Sequence, residues 1–101
     1  MSTLHTVNKS PFQSQCLYNC TDLIAPGDSL VLIEDGVYAL KLGGEERARL
    51  LNAIKQGTRV YALNADLQTR GLDSSWAEIK TIDDSEFVEL CCKHQRIQSW
   101  Y

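Results

Sequence analysis

The chain has 101 residues, a net charge of −3, 44% apolar residues and 23% charged residues. That is ordinary composition for a single globular domain spanning 1–101, and its acidic balance argues against the basic surface that direct nucleic-acid binding needs. No run is long and apolar enough to span a membrane, and no charged stretch leads into an apolar one as in an export signal, so the four cysteines are expected to be cytoplasmic thiols rather than disulfides.

In chain order, a short strand is expected over residues 4–7, followed by Asn8-Lys9-Ser10-Pro11 as a strand-to-helix switch. Ser10 suits an N-cap and Pro11 a first helical position, so a helix is expected over 12–24 with Phe12, Cys16, Cys20, Leu23 and Ile24 facing inward. A second strand over 30–34 opens with the continuous apolar run Leu30-Val31-Leu32-Ile33, which suits a strand covered on both faces. A helix over 45–56 then turns Ala48, Leu51 and Ile54 inward and stops at Gly57. A third strand over 59–63, a short helix or turn over 64–71 and a fourth strand over 78–82 follow. Asp83 and Glu86 have capping-box spacing ahead of a helix over 87–94, with Phe87, Leu90, Cys91 and His94 as its inward stripe. Residues 96–101 read as an edge strand. The alternation implies an α/β fold with a small, mostly parallel sheet flanked by helices.

In such sheets ligands gather beyond the carboxyl ends of the strands. Asn8 and Lys9, Glu34 and Asp35, Asn64 and Asp66, and Asp83 and Asp84 would stand there. The same residue types are ordinary turn formers and caps, which is the plainer reading.

Cys20 is the first candidate for chemistry. Sharing a face with Leu23 and Ile24, it reads as a buried small apolar residue, and it lies too far into its helix for the dipole to favour a thiolate. Cys16, Cys20, Cys91, Cys92 and His94 offer metal ligands, but structural zinc prefers closely spaced cysteine pairs on loops, so no metal is expected, and no phosphate loop or other cofactor motif is present. His5 is expected to be a hydrogen-bonded core histidine, with a general base as the alternative. His94 is expected to cap helix carbonyls. Trp100 and Tyr101 either fold onto this chain or dock onto a partner.

Four segments together, "LHTVNKSPF" (4–12), "LIEDGVYAL" (32–40), "VYALNADLQTRGL" (60–72) and "DDSEFVELCCKHQRIQSW" (83–100), resemble the TusB/DsrH family over the whole chain. The resemblance implies a DsrE-like fold and a place in a cytoplasmic heterohexamer with TusC/DsrF-like and TusD/DsrE-like subunits. It implies a relay of persulfide sulfur toward tRNA wobble-uridine 2-thiolation, through sulfur-carrier proteins. The principal sulfur-carrying cysteine of such a complex belongs to the TusD/DsrE type, so this chain would be chiefly a scaffold. Cys20 matches a cysteine of DsrH-type members and is the candidate auxiliary persulfide site. A DsrH-type subunit in dissimilatory sulfur oxidation and a regulatory or metal-binding thiol protein are the alternatives.

Overall fold

A computed structural model describes residues 2–41, 43–72 and 76–101. Strands and helices alternate: β1 (Thr3–Val7), α1 (Cys16–Leu23), β2 (Ser29–Leu32), a 3-10 helix (Glu34–Leu40), α2 (Gly44–Lys55), β3 (Arg59–Leu63), α3 (Asn64–Thr69), β4 (Lys80–Ile82), α4 (Asp84–Lys93) and β5 (Arg96–Trp100). Every strand pairing is parallel, in the order β4-β3-β2-β1-β5. The parallel α/β sheet and the edge position of the last strand are as expected from sequence.

Chirality distributes the helices. From β1 to β4 the chain steps across the sheet in one direction, so right-handed crossovers place α1, α2 and α3 on one face. The step from β4 to β5 runs the opposite way, and the same rule puts α4 on the other face. Side-chain alternation agrees. Val7, Leu30, Leu32, Val60 and Ala62 pack with Leu17, Cys20, Leu50 and Leu67 on the first face, whereas Leu4, Val31 and Ile82 pack with Phe87, Leu90 and Cys91 on the second. All four residues of β2 are buried, which is why Leu30-Val31-Leu32 is apolar without a break.

Several local expectations are corrected. Ser10 begins a turn, not a helix. Its carbonyl accepts from the amides of Gln13 and Ser14, and its hydroxyl accepts from the Phe12 amide. The helix starts only at Cys16, whose amide donates to the Ser14 hydroxyl. Phe12 is therefore outside the helical phase and 69% exposed. The inward line of α1 runs through Leu17, Cys20 and Ile24, with Leu23 about a quarter-turn away and 70% exposed. In α2 the inward residues are Leu50 and Ala53, with Leu51 and Ile54 partly buried, and Ala48 is exposed on the opposite side. The fourth strand begins at Lys80. The capping box forms as expected, with Asp83 and Glu86 each bonding the other's amide.

Strand β2 ends before Glu34 because that residue takes a left-handed backbone, φ 49°. The Glu34 amide donates to the Asp66 carboxylate at 2.7 Å, which holds the strained position. The 3-10 helix then passes over the end of β1. The Ile33 amide bonds the Val7 carbonyl at 3.0 Å, and a Cβ at Gly36 would lie 2.1 Å from that same oxygen. Only glycine fits there. Gly36→Ala is expected to cost at least about 2 kcal/mol, because the obstruction is backbone that cannot rotate aside. Urea denaturation measures it, and an unchanged midpoint would show that the 3-10 helix can lift off β1.

Candidate functional site

The four thiols are free and fall on opposite sides of the sheet. Cys16 and Cys20 lie in the α1 layer and Cys91 in the α4 layer. The sheet stands between the two pairs, so they do not converge on one ion, and among the described residues no group of three or more His, Cys, Asp or Glu side chains is placed to hold a metal. Cys20 has no exposed surface. Burial pushes its thiol up to about 12, with the Asp28 charge and then Cys16 adding to the rise. Burial also raises Cys91, while Cys92 is exposed. Cys16 is half-buried, and its sulfur accepts from the Ser14 hydroxyl at 2.9 Å.

Asp28, in the turn entering β2, organises the neighbourhood of Cys20. Its carboxylate is buried and accepts from the Thr3 amide at 3.0 Å, the Ala25 amide at 3.1 Å and His5 Nε2 at 2.9 Å. Burial alone would raise the carboxyl, but hydrogen bonds from His5, Thr3 and Ala25 outweigh it and hold Asp28 below its ordinary value. On the other side of the imidazole, the Trp100 indole donates to His5 Nδ1 at 3.0 Å. An indole nitrogen only donates, so Nδ1 is the acceptor and Nε2 carries the proton given to Asp28. His5 is thus the expected bonded core histidine. Trp100 folds onto its own chain, stacked on His5 with ring centroids 6.2 Å apart, whereas Tyr101 is 83% exposed. His94 behaves as expected at the end of α4: Nδ1 donates to the Leu90 carbonyl, and Nε2 pairs with the Ser29 hydroxyl.

At the carboxyl ends of the strands, Asp35, Asp66 and Asp83 among the expected polar residues are committed to structure. Arg70 bonds Asp35 at 2.9 Å and reaches Asp66 at 3.5 Å, Asp66 takes the Glu34 amide, and Asp83 caps α4. Among the described residues, the Asn8 side-chain oxygen is the buried polar atom left without a partner. The turn after β1 and the 3-10 helix enclose an open cleft of about 380 Å³, walled by Phe12 and Tyr38 with Lys41 at its rim. The sequence reading missed Asp28 and Arg70. Asp28 follows Pro26-Gly27 and looks like any turn aspartate, and Arg70 stands just after α3 with its Asp35 partner 35 residues away.

Among the described residues these features define an all-parallel, five-stranded α/β domain whose principal candidate thiol is sealed inside the core. The ychN protein of Escherichia coli has the same fold, with a TM-score of 0.79 at 16% identity over 99% of this chain and 100% of that one. The family described as DsrH like protein matches residues 9–97. Protein TusB of Photorhabdus laumondii is 38% identical over 96% of this chain and 99% of its own length, and Protein TusB of Serratia proteamaculans is 40% identical over the same shares. The chain belongs to the TusB/DsrH family.

The Asp28 carboxylate titrates lower in the fold than in the unfolded chain. Its stabilising contribution is therefore complete above the ordinary aspartate value near about 3.9 and is lost as pH falls through the lower, folded value. Asp28→Asn is expected to cost about 1.5–3 kcal/mol at neutral pH. It should also flatten the loss of stability on acidification below about pH 4. Urea melts at a series of pH values read both effects, and parallel acid limbs in the two proteins would remove Asp28 as the source.

Proposed function

We propose that this chain is the TusB-type subunit of a cytoplasmic sulfur-relay complex that serves tRNA wobble-uridine 2-thiolation, and that it acts mainly as a scaffold. Its partners in this reading are TusC/DsrF-like and TusD/DsrE-like subunits in a heterohexamer, with sulfur-carrier proteins upstream and downstream. Similarity to TusB proteins over nearly the whole chain supports the assignment to the relay. No described helix is long and apolar enough to cross a membrane, in keeping with that setting.

The observation that carries the scaffold role is the state of Cys20. Sulfur moves when an acceptor thiolate attacks the terminal sulfur of a donor persulfide. A new S–S bond forms, the old one breaks, the donor leaves as a thiolate, and no net oxidation occurs. The acceptor needs access and a populated thiolate. Cys20, sealed from solvent and held up to about 12 beside Asp28, has neither in the isolated chain. In this reading the principal acceptor cysteine stands on the TusD/DsrE-like subunit, and Cys20 handles sulfur only where α1 opens. The match to the DsrH description favours a second reading, a DsrH-type subunit in dissimilatory sulfur oxidation; the TusB relatives favour the first.

The test is the assembled complex exposed to a persulfide donor, followed by non-reducing intact-mass analysis. Added sulfur is expected on the TusD-like subunit, with this chain bound and unmodified, and Cys20→Ala should leave sulfur flow nearly unchanged. Sulfur retained on Cys20, together with loss of flow in Cys20→Ala, would make this chain a carrier instead.

A further inference from the structure

Among the described strands, β5 alone has no buried residue: Arg96, Ile97, Gln98 and Ser99 are exposed and Trp100 is half-buried. It nevertheless pairs with β1 along its whole length. A parallel strand is normally covered on both faces. The register Thr3↔Arg96, His5↔Gln98 and Val7↔Trp100 sets Arg96, Gln98 and Trp100 on the face that carries α1. Beside α1, these residues form part of the floor of an open groove of about 500 Å³, and Leu23, the last residue of α1, stands at its wall. The groove lies where the next helix of that layer would sit, and no helix of the described chain occupies it.

We infer that this groove is the seat of an amphipathic helix from a partner subunit, lying alongside α1 over β5. The inference rests on the reading of this chain as a subunit of a complex. Leu23, 70% exposed, and the ring of Trp100 offer apolar contact, while the indole N–H is already spent on His5. Arg96 has no carboxylate within ion-pair distance among the described residues. A fitting helix therefore presents an apolar side chain between Leu23 and Trp100 and an aspartate or glutamate toward Arg96. Aromatic and arginine side chains of this kind dominate interface energetics. The partner helix also supplies the cover that the sheet lacks over its last strand.

The experiment compares wild type with Leu23→Asp and Arg96→Glu, both at exposed positions where the fold should persist, as circular dichroism would verify. Each is mixed with the TusC-like and TusD-like subunits of the same genome, and association is followed by sedimentation velocity. Hydrogen exchange is read at residue 23 and at 96–100. Each variant is expected to weaken association by at least about tenfold, and the groove amides of wild type should slow on assembly. Assembly that ignores both substitutions and leaves those amides unchanged overturns the inference while leaving the subunit reading intact. A concentration-dependent dimer of the chain alone that Leu23→Asp dissolves also overturns it, since the occupant is then a second copy. Folded wild type that fails to join the two subunits at all refutes the subunit reading itself.

Discussion

One buried carboxylate holds the start of this fold together. Asp28 binds the first residue of β1, the exit of α1 and the imidazole of His5, and through His5 it reaches the last residue of β5. Strands far apart in sequence meet at a single side chain, with hydrogen bonds to a charged group worth about 1.5–3 kcal/mol each. The same charge works against chemistry at the nearest thiol. Asp28 adds to the burial that keeps Cys20 protonated. Burial is the larger cause of the inertness of Cys20, and the carboxylate that stabilises the fold reinforces it.

The order of elements was legible from sequence because its signals are local. The apolar run of β2, the capping box of α4 and the edge strand at the end each stand in a few adjacent residues. The helix after β1 was misjudged because Ser10-Pro11 is equally good at opening a turn, and the choice is made by the Ser14 hydroxyl four residues later. The left-handed Glu34 and the glycine beneath the Val7 carbonyl have no local signature, since both answer to residues brought in by the sheet. At the site, the burial of Cys20 was readable from its spacing. The Asp28–His5–Trp100 chain was not, because its members lie 23 and 95 residues apart.

The sheet also constrains what the cysteines can do together. Side chains of successive strand residues point to opposite faces, and the helices that carry Cys16–Cys20 and Cys91–Cys92 cover different ones. A ligand set that looked plausible in one dimension is divided by a layer of strands in three. What is left is one sealed thiol, one half-buried thiol bonded to a serine, and a pair at the end of α4. Of the four thiols, Cys92 alone is exposed.

The crossover rule that sends α4 to the far face has a second effect. In chain order β5 comes after the three helices of the first layer, and no helix among the described residues covers it on that face. Its attachment depends on the ladder with β1, a Thr6–Ser99 hydroxyl contact and the bond from Trp100 to His5. An uncovered parallel strand is poorly stabilised on its own account, because apolar burial contributes more than a hydrogen bond's net of about 1 kcal/mol. The indole–imidazole bond, made on the face that carries α1, fastens the end of the strand to β1. The fold thus keeps an ordered strand with no buried residue, held by its neighbour β1 rather than by packing.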